Sequence, residues 1–424
     1  MDPQQESWQG RLQYASLSDL GLRRANNQDS MAVMVAPSTA AWRQRGDLFV
    51  VADGMGAHAA GELASKLATD AVPLVYHKLA GRSPPEALAA AVQDANAQIH
   101  SRGQASPDFR GMGTTCTSLA LLPQGAIVAH AGDSRAYRLR ADRLEQLTFD
   151  HSLVWEIRAS GQVQGPVPDY IPKNVITRSL GPNPSIQVDL EGPFPLMGGD
   201  TFLLCSDGLS GQVQDEEIGM ILGCLPPADA VQALVDLANL RGGPDNITVI
   251  VVRAVGNAWQ GGGGGAAELP GQTRPVHPAV WALAATAAVI AVGLTAVRQF
   301  LPAAVSFLAA VLLAGGGIVY RSGGGSAGPL GEKPLGRGPY TATGCTPNAD
   351  VCRRLTGILG ELREAATEKG WSVDWNRFQA LLDQAAASSA SGDFPQAVRC
   401  HCQAITFMMG ELKRQGKTRN DLSK

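Results

Sequence analysis

The sequence predicts a mixed domain of strands and helices, followed by helical material of a different kind, on three observations. Strand-length apolar runs recur between Leu12 and Val252, separated by segments with the apolar spacing of helices. Asp53, Asp133, Asp207 and Asp245 all stand at ends of such strands, each beside or close to a glycine. Beyond Arg253, glycine-bearing stretches frame two uncharged apolar runs, and three helix-length segments close the chain.

At 424 residues the chain has room for two or three domains. Hydrophobic residues make up 45% and charged residues 17%, which fits globular material plus something more apolar. A net charge of -3 gives no sign of nucleic-acid binding. The seven cysteines are odd in number and scattered, unlike a secreted disulfide framework. The opening MDPQQESWQG has neither the basic start nor the apolar core of a signal peptide, so the first domain is expected in the cytosol.

Taken in order, Leu12 to Ser18 reads as a strand, followed by the polar connection DLGLRRANNQD from Asp19 to Asp29. Its arginine pair and carboxylates fit a substrate-binding edge or a solvated hairpin. Leu48 to Val51 is a buried strand that delivers Asp53-Gly54 at its end. A carboxylate there is held rigidly, and glycine leaves the backbone carbonyl open, so oxygens can converge on a hard cation. A helix is expected over 59–79, with Leu63, Leu67, Ala71 and Leu74 along one side and Pro73 as a kink. Ser83-Pro84-Pro85-Glu86 starts a second helix running through His100. Gly111-Met112-Gly113-Thr114-Thr115 leads into a hairpin, 116–122 and 126–131, that ends in Gly132-Asp133-Ser134-Arg135. From Asp150 to about Pro184 the proline-rich irregularity reads as a flap beside a site. The strand 201–204 then repeats the pattern in Ser206-Asp207-Gly208, and Gly242-Gly243-Pro244-Asp245-Asn246 enters a last strand, 247–252. Cys116 and Cys205 lie in apolar strands as core residues.

The ordered set SDLGLRRANNQD, VVADGMGAHAAGE, GMGTT, AGDSRAY, LLCSDGLS and GGPDNITV resembles the metal-dependent type 2C serine/threonine protein phosphatases, bacterial branch, from about Leu12 to Arg253. The resemblance implies an α+β fold, a four-layer α-β-β-α sandwich of two antiparallel sheets flanked by helices. It implies two metal ions, Mn²⁺ or Mg²⁺, with a third position in bacterial members. Asp53 would bridge the two ions, and the Gly54 carbonyl would bind one. Asp207 and Asp245 would complete their shells, and Asp29 would support them through water. Asp133 with Asp207 matches the additional position, and Arg24, five residues before Asp29, matches the arginine that grips the substrate phosphate.

Such a pair of cations, about 3.5–4 Å apart, lowers a bridging water from a pKa of ~15.7 towards ~7, and the resulting hydroxide attacks phosphorus in line. Arg24 would neutralise the phosphate oxygens in a bidentate pose. Gln28 stands where many relatives have glutamate, and Ala57 where many have a third glycine. Met55 occupies the position of a eukaryotic histidine, which leaves His58 or a metal-bound water as the acid for the leaving serine oxygen.

The catalytic domain is expected over 8–256, and residues 257–278 form a flexible linker. Residues 279–297 and 303–320 are uncharged and each long enough to cross a ~30 Å hydrocarbon core. Arg274, Arg321, Lys333 and Arg337 flank this hairpin, against Arg298 alone in its turn, which places both soluble parts in the cytoplasm. A second linker, 321–345, precedes a small α-helical domain over 346–418. Cys345, Cys352, Cys400, His401 and Cys402 form a cluster that could bind zinc, but their spacing matches no standard finger, and ordinary buried or idle thiols are the favoured reading. The expected activity is dephosphorylation of phosphoserine and phosphothreonine in proteins at a cell membrane spanned twice, opposing a serine/threonine kinase. The alternative is a catalytically weak or silent phosphoprotein-binding scaffold on the same fold.

Overall fold

The computed structural model describes residues 10–421 except 57–58, 162–167, 169–170, 173–174, 257–258 and, apart from a few isolated positions, 260–333. Met1–Gly263 together with Pro334–Lys424 form one compact unit, and Gly264–Lys333 form a second. In the first unit two antiparallel sheets face each other. One sheet runs in the order β1-β11-β10-β7-β8-β12 and the other β2-β3-β5-β6-β9. The first contains β1 (Leu12–Asp19), β7 (Arg135–Arg140), β8 (Arg143–Gln146), β10 (Thr201–Cys205), β11 (Ile247–Ala254) and β12 (Thr341–Gly344). The second contains β2 (Asp29–Met34), β3 (Asp47–Met55), β5 (Cys116–Leu122), β6 (Gly125–Ala131) and β9 (Asp189–Phe194), with the two-residue β4 (Gly113–Thr114) paired to β3.

Strand alternation decides what fills the space between them. Phe202, Leu204, Ile250 and Val252 point inward against Phe49, Val51, Leu119 and Val128 of the opposite sheet. Their neighbours Leu203, Cys205, Val249 and Val251 point outward, into a second apolar layer formed with helices. Those helices are α6 (Asp215–Cys224) and α7 (Pro227–Leu240) on one side of the sandwich. On the other side lie α2 (Ala60–Lys78) and α3 (Pro84–Ala105), against β2, β3, β6 and β9. The four-layer α-β-β-α order is therefore present. Shorter helices α1 (Thr39–Arg45), α4 (Leu153–Ala159) and α5 (Asp207–Ser210) sit in connections.

Two local expectations change. Helix α3 does start at the Ser83–Glu86 capping box, where the Ser83 N–H donates to Glu86 Oε2 at 3.2 Å, but it runs on to Ala105. Helix α2 does not bury a leucine stripe. Its covered face is Ala64, Ala68, Val72 and Tyr76, whereas Leu74 is exposed. Small residues on that face let the helix approach β3 closely, which bulky leucines would prevent.

The stretch expected as a linker over 321–345 contains β12, paired antiparallel to β8 from Thr341↔Gln146 to Gly344↔Arg143. It follows that the C-terminal helices are stitched to the catalytic unit. These are α8 (Ala349–Glu368), α9 (Trp375–Ala390) and α10 (Phe394–Asp421), and they bury Leu355, Leu359, Ile405 and Met408 in the same apolar layer as Ile218, Leu222 and Leu234. Arg354 pairs with Glu216 at 2.7 Å, and Arg399 Nε donates to the Cys224 carbonyl at 2.5 Å. The close seating shows at Gly219, where a Cβ would meet Cys345 Sγ at 2.2 Å. The spans expected over 279–297 and 303–320 lie almost wholly outside the described residues. Among the described residues no helix is long and apolar enough to cross a membrane.

A shared core predicts shared unfolding. Leu359→Ala, at a fully buried position of α8, should cost about 2–5 kcal/mol. The single thermal transition of the unit, catalytic strands included, should move down with it. Calorimetry resolving two transitions, with only one displaced, would mean that the extension folds by itself.

Candidate active site

Asp53 stands near the end of β3, an inner strand that pairs with both β2 and β5. Its backbone is fixed by the threonine pair that follows Gly113. The Asp53 N–H donates to Thr115 Oγ1 at 2.8 Å, and its carbonyl accepts from Thr115 N and Thr114 Oγ1, each at 2.9 Å. Thr115 Oγ1 also lies 2.7 Å from Ser134 Oγ, next to Asp133. The GMGTT segment is thus a rivet between two of the aspartate-bearing turns. Gly132 has φ +123°, and a Cβ there would strike the Thr115 Cβ at 2.5 Å.

Glycine at 54 has a different cause. A Cβ on Gly54 would sit 2.1 Å from the Gly61 carbonyl oxygen and 2.5 Å from that of Gln28. The start of α2 therefore rests directly on the Asp53-Gly54 turn. Gly208 repeats the device, since its Cβ would lie 2.0 Å from the Asn246 carbonyl oxygen. Both Asp-Gly pairs are places where backbone meets backbone, and a carboxylate beside such a contact has little freedom to move.

Asp29 begins β2 directly opposite Asp53 in the antiparallel register, so both side chains share one face of the sheet. Ser206 Oγ donates to Asp29 Oδ2 at 2.8 Å. Asp207 follows β10 as the first residue of α5, and Asp245 lies just before β11. Arg24, on the β1–β2 loop, donates to Asp245 Oδ2 at 2.6 Å while remaining 47% exposed. The structure thus brings together Asp29, Asp53, Gly54, Asp133, Asp207, Asp245 and Arg24. Arg23 is exposed beside Gly242, and Arg135 is taken up by Asp150 at 2.7 Å. His58 lies outside the described residues.

Electrostatics single out this group. Burial pushes Asp29 up to about 7, helped by the charges of Asp207 and Asp245. Burial, with the charges of Asp207 and Asp150, raises Asp133 to about 7. Asp53 is driven well above the usual carboxylate range by burial and by its four acidic neighbours, Asp29 foremost. Asp207 rises through burial and the Asp245 charge. Buried like charges disfavour joint ionisation unless a cation joins them. Moreover, Oδ1 of Asp29, Asp133 and Asp207 are each buried without a hydrogen-bond partner. Such orphaned acceptors, all of oxygen, suit a hard divalent cation better than zinc. Among the described residues no three Asp, Glu, His or Cys groups already close on one point.

The C-terminal thiols have other partners. Cys345 Sγ faces the Thr343 carbonyl at 3.3 Å, and His401 lies 2.8 Å from Thr356 Oγ1. All seven cysteines are buried and free. In the strands, burial pushes the Cys116 thiol to about 11 and the Cys205 thiol to about 12, as befits core residues.

Sequence reasoning missed Asn246 as an organiser. Its side chain donates to the carbonyls of Leu20 and Asn26, at 2.9 and 3.1 Å, and accepts from Gln28 N–H at 2.8 Å. One asparagine thereby ties the Arg24 loop to the Asp245 turn. Its place directly after Asp245 was the available signal.

The protein phosphatase 2C family profile matches residues 23–239. Protein phosphatase PhpP of Streptococcus pneumoniae is 38% identical over 246 residues, 57% of this chain and 97% of that one. The serine/threonine protein phosphatase PstP of Mycobacterium tuberculosis is 35% identical over 269 residues, covering 62% of this chain and 47% of PstP. The crystal structure of the Mycobacterium tuberculosis serine/threonine phosphatase PstP superposes with a TM-score of 0.51 at 36% identity, over 58% of this chain and 99% of that one. The Streptococcus agalactiae serine/threonine phosphatase does so with a TM-score of 0.51 at 33% identity, over 57% and 99%.

Gly54→Ala tests the backbone contact under the site. The atoms it would strike all belong to the main chain of Gly61 and Gln28, so no rotamer change relieves the clash. Activity should fall at least a hundredfold with the fold retained by circular dichroism. Wild-type turnover in this variant would show that the Asp53-Gly54 turn has slack.

Proposed function

The chain belongs to the protein phosphatase 2C family and is a serine/threonine protein phosphatase. From that premise we propose that it hydrolyses phosphoserine and phosphothreonine in proteins with two divalent cations, Mn²⁺ or Mg²⁺. Asp29, Asp53, Asp207, Asp245 and the Gly54 carbonyl would hold them, with Asp133 and Asp207 offering a third position. The observation that carries this is the set of buried carboxylate oxygens left without partners beside an exposed arginine. When bound, the cations supply Lewis-acid stabilisation of developing charge and acidify water.

The chain's own residues do the rest. Rigid turns at Gly54 and Gly208 hold the carboxylates where they cannot relax apart. Arg24 reaches from an exposed loop and is paired only with Asp245 among the site acids, so a phosphate can draw on its remaining N–H donors. Positioning and charge neutralisation are what phosphoryl transfer mainly requires. Proton delivery to the leaving oxygen falls to His58 or to a site water.

We further place the protein at the cytoplasmic side of a membrane, anchored through 279–320, with a serine/threonine kinase as its opponent. The uncharged runs support the anchor, and the fact that Gly263 and Pro334 belong to the same compact unit supports an even number of crossings. A segment whose two flanks rejoin one body must return to the side it left. A reporter fused after Lys424 should therefore be cytoplasmic and sediment with membranes; an extracytoplasmic signal would require a single crossing.

Hydrolysis of an aryl phosphate with and without Mn²⁺ tests the chemistry and separates it from a silent scaffold. Asp53→Asn should lower kcat by several decades, on the order of 5 kcal/mol, and abolish the thermal stabilisation by added Mn²⁺. Arg24→Ala should raise KM and lower kcat more modestly, with Mn²⁺ affinity near normal. Unchanged kcat and metal stoichiometry in Asp53→Asn would overturn the two-cation assignment.

A further inference from the structure

The loop that carries Arg24 leaves β1 at Asp19 and is held mainly against the Asp245 turn. Gly21, at φ +76°, lies so close that a Cβ would sit 2.1 Å from the Asp245 carbonyl oxygen. Leu22 N–H donates to the Gly243 carbonyl at 2.8 Å. The foot of the loop is the Asp19 carboxylate, whose Oδ1 accepts from Gly21 N–H and Asn239 Nδ2, each at 3.0 Å. Its other oxygen accepts from Lys413 Nζ at 3.1 Å. Lys413 stands on α10, in the C-terminal extension, 394 positions further along the chain.

We propose that Lys413 is a positioning residue for Arg24, so that the extension sets substrate affinity through the foot of the phosphate-binding loop. The inference rests on the phosphatase reading of the site. Asp19 is only 20% exposed, so its carboxylate depends on protein partners more than on water. Removing the ammonium takes away the cation that pairs with Oδ2 among the described residues and weakens the grip on the residue where the loop begins. Gly21 follows two positions later, and its conformational freedom lets a loosened foot become a displaced Arg24. The seating of α10 is itself firm, since Ile405 and Met408 are buried with α6 and α7. A shift of that helix therefore reaches the substrate arginine by one ion pair.

Lys413 has a second neighbour that must be separated from this role. Its ammonium lies 3.7 Å from Asp236 Oδ1, a buried oxygen without a hydrogen-bond partner. A lysine serving only Asp236 would support α7 and leave the loop alone.

The test uses the full chain with Mn²⁺, an aryl phosphate and a phosphothreonine peptide. Lys413→Met should raise KM about twofold to fivefold, the range of a partly exposed ion pair, with kcat within twofold and Mn²⁺ affinity unchanged. Lys413→Arg should restore KM. In an Arg24→Ala background, Lys413→Met should add nothing, because its effect passes through that arginine. Asp236→Asn should leave KM as in the wild type. An unchanged KM in Lys413→Met, an effect that multiplies that of Arg24→Ala, or a KM rise reproduced by Asp236→Asn would each overturn the proposal. Hydrogen exchange at the amides of Leu20 to Gln28 reads the anchoring without turnover, and it should quicken in Lys413→Met. If the wild type showed no Mn²⁺-dependent hydrolysis while exchange still quickened, the phosphatase reading would fall and the anchoring would stand. Exchange identical to the wild type would remove the anchoring itself.

Discussion

Carboxylates repel one another when water is taken away, and this chain gathers several of them at one edge of a dry sandwich. Asp53 is partly buried, with Asp29 opposite it and Asp133, Asp207 and Asp245 within its field. In open solvent such side chains would swing apart at little cost. Here each is fastened close to its backbone, and the backbone is fastened to another strand or helix. Thr114 and Thr115 hold Asp53, Ser206 holds Asp29, and Asn246 holds the turn of Asp245. The stored repulsion is what gives a cation its grip, because neutralising it is favourable before any substrate arrives.

The same economy explains the glycines. Gly54 and Gly208 are not primarily flexible positions, for neither has a positive φ. They are points of contact between main chains, where even a methyl group has no room. The alanine face of α2 continues the theme, letting a helix lie almost on the strand that presents Asp53. Close packing around the site and rigidity within it have one origin.

Much of this was legible in the sequence. The aspartates announce themselves because strand, glycine and carboxylate stand next to one another along the chain. The capping box at Ser83 was readable for the same reason, being local. The buried face of α2 was misread because its leucines look like the core while its alanines form it. Helix α1 and strand β9 carry no strong apolar period, and β12 is four residues of threonine, alanine and glycine that only its partner β8 makes into a strand. Lys413 was out of reach altogether, since nothing near it in the sequence refers to Asp19. The apolar runs over 279–297 and 303–320 lie almost wholly outside the described residues.

The pairing of β12 with β8 also has a consequence for how the protein is made. On the ribosome β8 emerges early, yet its neighbour is roughly 200 residues away, about 10–40 s of synthesis at ordinary rates. Through that interval the edge of the sheet is open, with unpaired N–H and C=O groups available to any other chain. The outer faces of α6 and α7 likewise wait, for a somewhat shorter stretch of synthesis, for α8 and α10. The newborn catalytic unit therefore passes through a period when it is most exposed to mispairing, until β12 has been made and has closed the edge.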